Sequence, residues 1–156
     1  MFREMRRKNQ QLSEEECMQI LQYAKRGILS VTGEDGYPYG VPMDFVLDDS
    51  KLYFHCALSG HKLDAIKADN KVCFTVLDDG VKEEGSWWYH FNSVVCFGRI
   101  RIIEDAQEKE KHLYTFGMKY MPTEESVLKE MQLDGSRANI LELTIDHMTG
   151  KRVREK

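Results

Sequence analysis

The sequence predicts a mainly β fold, an antiparallel barrel with peripheral helices. Two observations carry this. Period-two alternation comes in runs, while helical spacing is confined to the start, one short crossover and the stretch before the last strand. That order argues against a doubly wound parallel sheet, in which strands and helices alternate. In addition, no Gly-x-Gly-x-x-Gly follows a strand, so the dinucleotide-binding fingerprint is absent.

The elements follow in order. Met5-Arg6-Arg7-Lys8 is a basic leader. Ser13 and Glu16 form a capping box, and Cys17, Ile20, Leu21 and Ala24 keep the spacing of a buried helix face. Lys25 and Arg26 suit the negative end of that helix and Gly27 ends it, which predicts a helix over 14–26. Residues 28–32 then read as a strand, Glu34-Asp35-Gly36 as a hairpin turn and 38–47 as the returning strand. Pro42 has no N–H for a ladder, so it belongs at an edge or a bulge. Asp48-Asp49-Ser50 is the next turn.

Leu52, Phe54 and Cys56 alternate with Tyr53, His55 and Ala57, a strand ended by Ser59-Gly60. Leu63 and Ile66 then mark one face of a short helix that Asp69-Asn70 closes. Residues 71–77 form a strand with Val72, Phe74 and Val76 on one face, and 78–86 an acidic, solvated loop. The aromatic run 87–91 reads as core or interface, with an interface suited to its indole and phenol rings. Residues 92–103 make a long strand whose Arg99 and Arg101 share a face that meets solvent or an anion. Asp105 and Glu108 start a helix through Leu113, Phe116, Gly117 and Tyr120 that ends at Pro122. Thr123 starts a shorter one through Val127, Leu128 and Met131, and Asp134-Gly135 turns the chain back. Leu141, Leu143 and Ile145 alternate as a last strand, followed by a charged tail, 151–156, expected to fray.

At 156 residues the chain fits one domain, 1–156. The net charge is −4 with both signs mixed, so no basic stripe marks a nucleic-acid binder. No apolar run reaches the roughly 20 residues of a membrane span, and residues 1–14 are too polar for a signal-peptide core. Cys17, Cys56, Cys73 and Cys96 lack the close pairs of a zinc site, so no metal is expected. Three of them sit in apolar strand patterns, as reduced, buried thiols do, which points to the cytoplasm.

Residues 53–66 concentrate the chemistry. A strand runs into Gly60, and His61 and Lys62 fall on the first turn of a helix. Backbone N–H groups there have no intrahelical partner, and the dipole favours an anion. Two potentially cationic side chains at that end suit a phosphate. The same residues also read as a solvated helix start and an ordinary strand histidine; spacing alone leaves both readings open.

His55-Cys56-Ala57 followed by Gly60-His61-Lys62-Leu63-Asp64-Ala65 resembles the signature of flavin-binding split-barrel proteins related to pyridoxamine 5′-phosphate oxidase. The Nim-type, 5-nitroimidazole-resistance branch is the most similar. Gly27-Ile28-Leu29-Ser30-Val31, Pro38-Tyr39-Gly40-Val41-Pro42-Met43, Lys71-Val72-Cys73-Phe74 and Ser93-Val94-Val95-Cys96-Phe97-Gly98 continue the likeness over about 5–143. The resemblance implies an antiparallel split β-barrel of Greek-key form with peripheral α-helices. It implies FMN, with FAD possible. Ser59, Gly60, His61 and Lys62 would hold the phosphate; Val41, Pro42, Met43 and Asp44 would lie against the ring; Cys56 and Ala57 would flank the site beside His55; and Ser93 and Val94 would border the cofactor. It places His55 near the flavin face, as proton donor, substrate contact or structural residue. It also implies a homodimer with the flavin at the subunit interface, the basic leader packing across it.

The function implied is an FMN-dependent oxidoreductase that passes electrons to a small electron-poor organic substrate. The alternative is a flavin-binding sensor or carrier without turnover. Oxidation of a vitamin B6 phosphate ranks lower, because Lys151, Arg152 and Arg154 do not replace the basic motifs of that enzyme. Haem binding also occurs in related barrels, and a lone strand histidine is weak evidence for it.

Overall fold

The structure is a computed structural model that describes residues 1–154. Seven strands form one sheet: β1 (Arg26–Thr32), β2 (Pro38–Asp44), β3 (Val46–Asp48), β4 (Lys51–Cys56), β5 (Lys71–Leu77), β6 (Phe91–Ile102) and β7 (Asn139–Val153). Among the described residues four α-helices accompany them: α1 (Glu14–Tyr23), α2 (His61–Ala68), α3 (Ala106–Tyr120) and α4 (Glu124–Asp134). The strand order is β2-β1-β5-β6-β7-β4-β3, and every neighbouring pair is antiparallel. The two outermost strands, β2 and β3, are separated in the chain by Phe45 alone. One residue spans so short a distance that the sheet must curl until its edges meet. The result is the split barrel.

Alternation decides which side chains fill it. Val72, Phe74 and Val76 of β5 and Leu52, Phe54 and Cys56 of β4 point inward, and Phe45 and Phe54 both meet Phe74 edge-on at 4.9 Å. Each such ring contributes about 1.5–3 kcal/mol by leaving water. Pro42 lies on the edge strand β2, opposite Ile28, where a missing N–H costs no ladder bond.

Three expectations are corrected. The first helix stops at Tyr23, not Arg26, because Arg26 already belongs to β1. It pairs with Asp44 in register and by a bond from Nε to Oδ1 of 2.6 Å. Gly27 is therefore a strand residue, and its role is close approach: a Cβ there would stand 2.5 Å from Cζ of Phe74. Second, the strand expected over 38–47 is two strands on opposite edges, because the chain changes partners at Phe45.

The expectation for Arg99 and Arg101 is met: both are exposed, and the anions they meet are the protein's own carboxylates. Arg99 bonds Asp146 at 2.9 Å, and Arg101 bonds Glu142 at 2.9 Å and Glu108 at 2.5 Å. Burial by itself would raise the pKa of Glu142, but hydrogen bonds from Arg101, Tyr53 and Lys51 outweigh it and hold the carboxyl below its ordinary value. Third among the corrections, the tail does not fray at 151. β7 continues to Val153, paired with Phe91, and Arg152 bonds Glu16 at 2.7 Å. Residues 155 and 156 of that tail lie outside the described residues. Among the described residues no helix is long and apolar enough to cross a membrane.

The aromatic run is not core in this chain. Trp87 is 77% exposed, with Trp88 packed beside it at 4.9 Å between ring centres.

Candidate functional site

The site is assembled where the barrel's two edges meet. β4 ends at Cys56, residues 57–60 cross over, and α2 begins at His61. Gly60 precedes the helix at φ 144°, a conformation that L side chains rarely adopt. No side chain caps this end. The carbonyl of Gly60 accepts from the N–H of Leu63 (3.0 Å) and of Asp64 (3.1 Å), closing the first turn. The N–H groups of His61 and Lys62 precede any intrahelical acceptor, so the positive end of the dipole opens outward there. Lys62 is half-buried beside it. Its charge lowers the affinity of His55 for a proton and favours the thiolate of Cys56, so the ammonium acts on both.

His61 turns toward β2, where its ring stacks on Tyr39 at 4.3 Å. Glu34, Asp35 and Asp64 line the same hollow. Ser59, Gly60 and Ala57 are exposed, and the carbonyl of Ala57 accepts from Asn139 Nδ2 at 3.3 Å. Cys56 points into the core; burial pushes its thiol pKa up, so only its backbone faces the turn.

His55 faces outward, as strand alternation requires, but that side of β4 is not open sheet. Tyr53, two residues earlier, is buried against His112 of α3, with ring centres 3.9 Å apart. His55 packs on Phe116 of the same helix at 4.5 Å. Its imidazole reaches the surface. Desolvation nonetheless lowers its pKa from 6.5, with nearby Asp44 opposing and Lys62 adding to the shift. The ring is therefore neutral at physiological pH, with one nitrogen free to accept. Asp44 reaches the site from β2, half-buried and held by Arg26. Of its neighbours, Val41 is half-buried, Pro42 exposed and Met43 in the core.

Residues not singled out from the sequence complete the seam. Phe45, between the two edges, lacks ladder partners; its N–H donates to Tyr120 Oη at 2.9 Å. Tyr120 Oη in turn faces the carbonyls of Phe45 and Lys25. Lys119 Nζ donates to the carbonyls of Ala24 (2.5 Å) and Phe45 (2.9 Å) and lies 4.2 Å from the Phe45 ring centre. Burial lowers its pKa to about 8, against the pull of Asp44. The spacing Leu113, Phe116, Gly117, Tyr120 had marked a packed face, but nothing local in it says that the face closes a barrel. Between α3, α4 and the pair Asp44 and His55 lies a cavity of about 300 Å³.

Ser93 and Val94 stand apart. Cys56 pairs with Asn139 of β7, whereas Ser93 pairs with Lys151 twelve residues further along. That is about 40 Å of strand. Val94 is moreover fully buried. One chain does not bring them to the turn 59–62.

Of possible metal ligands, Glu108, His112 and Glu142 converge to within 4.8 Å. Arg101 already bridges the two carboxylates, so the cation they require is the protein's own.

A profile of the pyridoxamine 5′-phosphate oxidase family matches residues 13–152. No curated protein matches the chain. Solved structures do. A candidate 5-nitroimidazole antibiotic resistance protein from Bacteroides thetaiotaomicron is 25% identical, with TM-score 0.75 over 91% of this chain and 86% of that one. An FAD-binding protein from Mesorhizobium loti is 20% identical, with TM-score 0.70 over 92% and 97%. An FAD and haem binding protein from Mycobacterium smegmatis is 20% identical, with TM-score 0.79 over 94% and 74%.

Proposed function

The chain belongs to the pyridoxamine 5′-phosphate oxidase family, and on that premise we propose that it is an FMN-dependent oxidoreductase of the Nim type, reducing a small electron-poor organic acceptor in the cytoplasm. The observation that carries this is the start of α2: an uncapped helix end with Lys62 beside it, joined by the strand end that carries His55. A phosphate fits there, accepting from the amides of His61 and Lys62, the Ser59 hydroxyl and the Lys62 ammonium. The acidic surroundings of His61 make its ring the weaker anion contact. The flavin, when bound, supplies the electron transfer.

The chain's own residues position and protonate. Asp44 and the edge of β2 would flank the ring of the cofactor. His55, with its pKa lowered, holds a proton only below neutral pH; as imidazolium it is a strong donor to a substrate stacked on the flavin. The alternative assignment of His55 is a structural contact with Phe116.

Two chains complete each site in this reading, a homodimer. It is supported by the distance of Ser93 from the turn 59–62 and by the outer sheet face, where Ile28 and Phe97 are each more than a third exposed. Exposed Trp87 and the leader supply further contacts. FAD is the second reading, favoured by the folds that carry that name.

The test is a visible spectrum of the purified protein, with mass analysis of the released cofactor. FMN, reduction by a nicotinamide donor and reoxidation by a nitroaromatic are expected. A colourless protein that takes up no flavin overturns the reading, and bound flavin without turnover leaves the sensor or carrier. In His55→Gln, turnover falls by about 10²-fold with flavin and dimer retained. In the wild type it falls as pH rises through a value below 6.5, and the variant flattens that limb. Wild-type turnover in the variant assigns His55 to structure.

A further inference from the structure

The cavity between α3, α4 and the barrel seam has a composition of its own. It holds about 300 Å³, the lower end of the range for small-molecule pockets. Aromatic rings build one wall: Phe116 and Tyr120 stack at 4.8 Å, and His55 closes against Phe116 at 4.5 Å. Met121 and Met131 line it as well, adaptable and polarisable side chains that suit an aromatic guest.

Among the described residues, the charged groups that face it are all acids: Asp44, Glu130 and Asp134. Arg26 pairs with Asp44 and Arg137 with Asp134, but neither arginine lines the cavity. Glu130 is in no ion pair among the described residues. The nearest ammonium along α3, Lys119, is turned away to the carbonyls of Ala24 and Phe45. The remaining titratable lining groups are His55, neutral at pH 7, and the phenol of Tyr120, whose pKa burial pushes up to about 12.

We propose that this cavity is the acceptor subsite and that it selects small aromatic molecules that are neutral or positively charged, excluding anionic ones. An anion entering it would lose hydration and meet Glu130, which is in no ion pair, with no cation among the described lining residues to replace the water. A protonated amine would meet Glu130 instead. By this logic a phosphorylated aromatic is rejected from the subsite, although in the flavin reading the phosphate of the cofactor would be held at α2. The assignment as acceptor site rests on the flavin reading; the charge selection is a property of the cavity itself.

The test uses a matched pair of nitroaromatics, para-nitrobenzylamine and para-nitrobenzoate. Calorimetry on the purified protein, with and without added FMN, measures binding; turnover is followed separately. The amine is expected to bind about fivefold more tightly than the acid, the upper range for one partly exposed ion pair. Glu130→Lys, at an exposed position of α4 where folding is undisturbed, reverses the order. Ala138→Phe, which fills the cavity, removes binding of both probes while flavin loading persists.

Equal affinities, a preference for the acid, or binding that survives Ala138→Phe overturns the proposal. A protein that holds flavin and turns over but shows no charge preference refutes this inference and leaves the function standing. A protein without flavin that still prefers the amine, with the preference reversed in Glu130→Lys, refutes the function and keeps the cavity's selectivity.

Discussion

The helices of this protein begin in two ways. α1, α3 and α4 open on side-chain caps: Ser13 Oγ accepts from the N–H of Glu16 at 3.2 Å, Asp105 Oδ1 from that of Glu108 at 2.8 Å, and Thr123 Oγ1 from that of Ser126 at 3.1 Å. Each has acids in its first turn. α2 opens on Gly60, with no side-chain cap, and although Asp64 lies in its first turn, His61 and Lys62 stand ahead of it. A side-chain cap takes one first-turn amide and holds the start in place. An uncapped start beside a lysine is held less well by the chain and better by an anion from outside. The difference separates helices that serve the fold from the one proposed to serve a ligand.

The strongest way to break this comparison is to remove the cation. Lys62→Ala is expected to weaken FMN binding roughly tenfold to more than a hundredfold, the range for one hydrogen bond to a charged group. Fluorescence titration measures it, and wild-type affinity in the variant sinks the phosphate assignment.

Gly60→Ala tests the backbone. Nothing lies within 4 Å of a Cβ built there, so crowding is no obstacle; the cost comes from φ alone. A loss of about 1–3 kcal/mol is expected in urea unfolding, together with weaker flavin binding. Unchanged stability would show that the turn relaxes to another conformation.

Ser13→Ala is the control from the other class. It is expected to lose about 1 kcal/mol of stability and leave flavin affinity untouched. A drop in affinity as large as that of Lys62→Ala would erase the distinction between the two kinds of start.

The smallest effect is a pH dependence. A backbone bond from Ser13, then the side-chain bond with Arg152, holds the pKa of Glu16 below 4.5. A folded-state pKa below the unfolded one contributes stability at neutral pH that is lost as pH falls through the folded value. The difference between wild type and Glu16→Gln in urea should therefore shrink with acidification below pH 4.5. A difference that is flat with pH would show that Glu16 caps α1 without its charge.

Several features were decided within a few residues and were legible in the sequence for that reason. Val72, Phe74 and Val76 point inward because a strand repeats every two residues, and their neighbours need no other information. Ser13 with Glu16 closes a hydrogen bond three residues apart, and Thr123 opens α4. Pro42 announces an edge by what it lacks. The turn at Gly60 with His61 and Lys62 behind it is legible on the same grounds.

Other features depend on residues that meet only after the sheet has curled. That the strand over 38–47 breaks at Phe45 follows from β2 and β3 joining opposite edges, and from Tyr120, 75 positions away, supplying the bond partner that the ladder does not. Arg99 and Arg101 share a face by local geometry, but Asp146 and Glu142, 47 and 41 positions on, decide that the face neutralises itself. His55 faces outward by alternation, yet α3 decides that outward means against Phe116. Alternation and capping are interactions between chain neighbours, whose separation the covalent backbone limits. Pairing across dozens of residues is chosen by the whole core, through which edges must meet to bury Phe45, Phe54 and Phe74 together.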